Sequence, residues 1–169
     1  MYIPDFLCYN THMNVTRNLQ ITASEFFGVV FAELAAEIKA AGYDAVEPEA
    51  LTAGFTQVYA PENPALKATF EIVEYQEDKL YKAVRTSAGG TTTLIYDVTP
   101  IEGGISVSFT YETTPKKKKG FLSAFSDAIF LGRMTDKLYG IQRTVINEKE
   151  GFEEHKSKSP LLPDIRKSK

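Results

Sequence analysis

The chain carries few of the side chains that most often run catalysis near neutral pH. It has two histidines, His12 and His155, and one cysteine, Cys8, and all three stand in stretches read as flanking tails. From Met13 to Lys149 there is neither histidine nor cysteine. Ser–His and Cys–His nucleophiles, and metal sites made of imidazole or thiolate, are therefore excluded from that stretch. Carboxylate, lysine, arginine, tyrosine and hydroxyl remain. Glu71, Glu74, Asp97 and Glu112 fall in strand-patterned segments, mostly in the polar phase, and no two of them make a recognisable general acid and base. Gly89-Gly90 and Gly103-Gly104 lie between alternating segments, as hairpin turns do, and neither opens a helix as a dinucleotide-binding loop must. No catalytic residue, metal or cofactor is assigned.

Binding chemistry has better candidates. Arg17 shares phase with Val15, Leu19 and Ile21 on a half-buried strand pattern. It reads either as a cation at a cavity mouth, ready for carboxylate or phosphate, or as a strand-end side chain that reaches water or pairs with an acid. Tyr96 and Tyr111 share phase with apolar strand residues. Each offers a hydrophobic ring with one hydrogen-bonding hydroxyl, which suits both a mixed pocket lining and ordinary core packing. Asp136 belongs to a stripe in the last periodic segment, Ala124, Ala128, Gly132, Asp136 and Gly140, spaced by four. Such a stripe gives either close packing or empty volume. Lys116 to Lys119 read as a solvated loop, since cations oppose the dipole of a following helix.

The elements that position these residues follow from periodicity. Val15, Leu19 and Ile21 oppose Thr16, Asn18, Gln20 and Thr22, so a strand begins at Met13. Thr22 with Glu25 makes a capping box, Ile21 with Phe26 a hydrophobic staple, and Gly42 stops a helix that ends near Ala41. Five strand patterns follow, around 55–60, 66–72, 80–87, 91–99 and 105–111, with turns short enough for hairpins. Leu131, Met134, Leu138, Ile141 and Val145 then mark a long closing helix over 121–149, about 44 Å in extent. Residues 1–12 read as an N-terminal extension, 13–149 as one domain, and 150–169 as a polar tail.

At 169 residues with net charge −3, 43% hydrophobic and 24% charged, the chain fits one globular domain. The acidic balance argues against nucleic acid. No segment approaches the roughly 20 apolar residues of a membrane span, and the N-terminus lacks the pattern of a secretory signal. A cytoplasmic protein is the expectation.

The stretches NLQITASEFF, GFTQVY with its following meander, and FLSAFSDAIFLGRMTDKL, in that element order, resemble the START-related helix-grip superfamily (birch-pollen-allergen-like, SRPBCC). They are also similar to an uncharacterised domain family of Gram-positive bacteria. The resemblance implies an α+β fold in which a curved antiparallel sheet of about six strands grips the C-terminal helix. It further implies a pocket for an apolar or amphipathic small molecule between sheet and helix. Phe70, Tyr96, Phe109, Tyr111 and Phe125 would line that pocket, and Arg17 would meet a polar head. A protein-interaction module with a filled core, and a cyclase-like or hydrolytic enzyme of the same fold, stay open as alternatives.

Overall fold

The computed structural model describes the backbone at 11–115 and 123–151, and side chains at 12–114 and 131–151. Cys8, His155, Lys116 to Lys119 and the tail beyond 151 lie outside the described residues, as do the side chains of Ala124, Phe125 and Ala128. The elements run β1 (Thr11–Leu19), α1 (Ala23–Ala40), β2 (Thr56–Tyr59), β3 (Ala68–Gln76), β4 (Leu80–Ser87), β5 (Gly90–Ile101), β6 (Gly104–Pro115) and α2 (Ser123–Glu150). The six strands form one antiparallel sheet in the order β1-β6-β5-β4-β3-β2. The meander β2 to β6 is joined at its far edge by β1, so the first strand closes against the last.

Thr11 and His12, assigned by sequence to the extension, are the first residues of β1. Thr11 pairs with Thr113, and His12 Nδ1 lies 3.1 Å from Glu112 Oε1. The alternation at this strand end is hidden because Thr11 and His12 are both polar.

The helix signals in α1 act as expected. Thr22 and Glu25 cap each other, with Thr22 N–H donating to Glu25 Oε2 at 2.9 Å and Glu25 N–H donating to Thr22 Oγ1 at 3.2 Å. At the other end Gly42 takes φ +87°, Tyr43 N–H donates to the Ile38 carbonyl and Gly42 N–H to that of Lys39. This pair of bonds satisfies two of the carbonyls a helix end otherwise leaves unpaired. A second glycine is needed for space. At Gly104 a Cβ would run into the Leu19 backbone carbonyl, where the end of β1 meets the start of β6.

Both helices cover one face of the sheet. Phe26, Phe27, Val30, Phe31 and Ile38 of α1 are buried, and Phe26 stands edge-on to Tyr96 at 5.4 Å between centroids. From α2, Leu138, Ile141 and Val145 join the same core as Val15, Leu19, Val107 and Phe109. Their spacing of three and four keeps one stripe on the sheet. Each such side chain contributes about 1.5–3 kcal/mol by leaving water. Lys149 Nζ reaches Glu25 Oε1 at 2.6 Å, tying the end of α2 to the start of α1. The opposite face of the sheet is polar. There Asn14 Nδ2 donates to Ser108 Oγ and Thr110 Oγ1 at 2.9 and 2.8 Å.

Two positions of the small-residue stripe of α2 differ from expectation. Gly132 and Asp136 are exposed, and a Cβ at Gly132 would meet nothing within 4 Å. Those positions face away from the sheet, so neither packing nor a cavity uses them.

Candidate ligand-binding cleft

The pleat and the strand register set the inner face row by row. One row runs Tyr75, Tyr81, Tyr96, Phe109, Val15 from β3 across to β1. The next runs Ile72, Ala83, Leu94, Tyr111, Met13, and the one beyond it Phe70, Arg85, Thr92, Thr113. A β-bulge between Ile72 and Glu74 shifts the phase of β3 and brings Tyr75 onto the inner face.

Under the helices these rows leave a cleft of about 490 Å³. Its floor and walls include Phe70, Leu94, Tyr96, Phe109 and Tyr111 from the sheet, Leu34 from α1 and Met134 from α2. Its rim is charged, with Glu37 of α1, Arg85 of β4 and Lys137 of α2, and with Tyr59 and Thr92 beside them. The volume lies within the range of about 300–1,000 Å³ typical of small-molecule sites. Apolar walls with a few polar groups at one end are the usual composition of such sites.

Four of the six residues singled out by sequence meet here: Phe70, Tyr96, Phe109 and Tyr111. Phe125 lies on α2 with its side chain outside the described residues. Arg17 is not part of the lining. Its guanidinium donates to the Thr16 carbonyl at 2.7 Å and to Thr135 Oγ1 at 3.3 Å, which fastens β1 to α2. Those partners are a backbone carbonyl and a threonine hydroxyl, and no acid pairs with it among the described residues. The polar rim went unread in the sequence. Arg85 is in phase with Tyr81 and Ala83, but a charged residue in an irregularly alternating strand gives no sign of which face it takes.

Electrostatics divides the rim. Lys137 Nζ stands 3.5 Å from Glu33 Oε2, an exposed pair that bridges α2 and α1. Among the described residues neither Arg85 nor Glu37 has an ion pair. The Arg85 guanidinium lies 6.0 Å from the centre of the Tyr59 ring, a cation–π contact. Burial and the Glu37 charge push the Tyr59 phenol up, and Arg85 opposes them. Tyr96 is 5% exposed, and burial holds its phenol far above the usual value, with Glu33 and Glu37 adding to the shift. Its ring lines the cleft. No group of three or more metal-ligating side chains exists among the described residues.

An antiparallel sheet closed by a long C-terminal helix is the helix-grip fold. The crystal structure of Ara h 8.0201 superposes with a TM-score of 0.57 over 82% of this chain and 99% of its own, at 6% identity. MLL2253 from Mesorhizobium loti gives 0.55 over 82% and 98%, at 9% identity. The Polyketide_cyc-like protein Cgl2372 from Corynebacterium glutamicum gives 0.51 over 87% and 98%, at 16% identity. Residues 13–132 match the model of a domain of unknown function, DUF3284, and the chain belongs to that family. No curated protein matches it in sequence. No helix among the described residues is long and apolar enough to cross a membrane.

Proposed function

We propose that the protein binds an apolar or amphipathic small molecule in the cleft between sheet and α2. The observation that carries this reading is the apolar cleft around the Tyr96 ring. Here the ring stands in an apolar cleft of about 490 Å³ with Phe70, Leu94, Phe109, Tyr111 and Met134 around it. A ligand with an apolar body, and a polar atom at the rim, would fill the space. The likeness in fold to Ara h 8.0201 and to a Polyketide_cyc-like protein supports the reading in general terms.

The test uses a neutral fluorescent probe, N-phenyl-1-naphthylamine, together with native mass spectrometry of the freshly purified chain. The expected result is saturable probe binding that weakens several-fold in Met134→Phe, which narrows the cleft from α2. A protein that retains no small molecule and binds no probe would sink the reading.

A further inference from the structure

The inner face is graded in polarity along the strands. The row through Tyr96 and Phe109 is aromatic, the row through Leu94 and Tyr111 is mixed, and the row through Arg85, Thr92 and Thr113 is polar. Thr113 is 9% exposed, and its Oγ1 has no hydrogen-bond partner among the described residues. A cleft built this way orients an elongated guest, with its polar end at Arg85 and its apolar body toward Phe109. On β5 the polar and aromatic rows are four residues apart, Thr92 to Tyr96, which is about 14 Å of strand.

The rim charges say which polar group fits. Three ionic side chains line the mouth, Arg85, Lys137 and Glu37, and Glu33 stands behind Lys137 as its partner. Lys137 is matched by Glu33 at 3.5 Å, whereas Arg85 has no carboxylate within ion-pair distance among the described residues. The Arg85 guanidinium is held over the Tyr59 ring, beside the Thr92 hydroxyl. A planar fork of donors matches a carboxylate with two parallel bonds. Two positive and two negative groups leave the mouth locally neutral. A monoanion therefore meets one unspent guanidinium, and Glu37 repels a dianionic phosphate more strongly than it repels a carboxylate.

Given a small-molecule occupant of the cleft, as argued above, we propose that it is an amphipathic carboxylic acid. Arg85 and Thr92 receive its carboxylate, and its apolar body runs along β5 and β6 beneath α2. Arg85 is the specificity residue, and it is exposed, so its replacement leaves the core untouched.

The test displaces N-phenyl-1-naphthylamine from the full chain with dodecanoate, 1-dodecanol and dodecyl phosphate, three guests that differ only in the head. Dodecanoate is expected to displace the probe at concentrations about 10- to 100-fold below dodecanol, the factor a charge-assisted hydrogen bond supplies. Arg85→Gln removes that advantage and Arg85→Lys restores part of it. Lys82→Gln, which takes the same charge from the other face of β4, retains it in full. Equal displacement by dodecanol, an advantage that survives Arg85→Gln, or a preference for dodecyl phosphate would each overturn the carboxylate assignment while probe binding keeps the cleft as a site. A chain that binds neither probe nor any of the three overturns both.

Discussion

Tyr96 and Tyr81 show how burial rather than residue type decides what a phenol does here. Both are about 95% covered, and desolvation is the main cause that raises each above the ordinary tyrosine value. The unfolded chain ionises these phenols near pH ~10, while the folded chain keeps its protons. Their contribution to stability is therefore fully present below pH ~10 and is lost as pH rises toward their folded values. The expected loss is about 1.4 kcal/mol per pH unit for each tyrosine. Urea unfolding measured across this range, with phenolate absorbance as the monitor, should show a slope that Tyr81→Phe and Tyr96→Phe each reduce. An unchanged slope in both variants would mean that the rings are not held dry. At the same scale, clean alternation put Phe70, Tyr96, Phe109 and Tyr111 on the apolar side of their strands, and all four line the cleft. Alternation did not identify Arg85, whose strand reads Leu80 to Ser87 with polar and apolar residues mixed on both faces.

Among the elements, α1 is the one most fully written in local sequence. Thr22, Glu25 and Gly42 act within a few residues of themselves, and each makes the contact that its position implies. Thr22→Ala removes the side-chain oxygen that accepts from Glu25 N–H, and should cost about 1 kcal/mol in thermal or urea unfolding. A stability equal to the parent would show that the cap is redundant. Glu25 has a second tie, since Lys149 first, and then the Thr22 backbone, hold its carboxyl below the usual range. The β-bulge in β3 is the opposite case. Val73 is the residue that breaks the register, and it is 39% exposed, so the extra position is visible only once β3 is laid against β4. Without that pairing Tyr75 falls in the outer phase, and its place beside Phe31 at 5.0 Å between centroids goes unseen.

For the whole molecule, the decisive feature is α2 lying across the inner face of the sheet. Leu138 is 1% exposed and sits in the core with residues from β1, β5, β6 and α1. Leu138→Ala should therefore cost about 3 kcal/mol, within the range for a core leucine that leaves a cavity. Leu131→Ala, at a half-buried position on the same helix, should cost clearly less. Equal effects at the two sites in chemical denaturation would argue that α2 does not dock as described. The same docking creates the cleft: α2 closes against β1 and α1 at its C-terminal end, where Val145 is buried, and stands off from β5 and β6 near Met134.

Periodicity, capping and turn chemistry act over a few residues. They settled the order of elements, the one-helix, meander, one-helix plan and the apolar side of the strands that alternate cleanly. The helix-grip architecture was implied by the family resemblance that this order helped to carry. Which side chains come within reach of one another depends on register and docking across separations of tens of residues. That is why the rim of Tyr59, Arg85, Glu37 and Lys137, drawn from β2, β4, α1 and α2, exists only in the folded chain. Arg17 makes the same point in reverse. Its phase was legible, but the hydroxyl of Thr135 that turns it from the cleft lies 118 residues further along the chain.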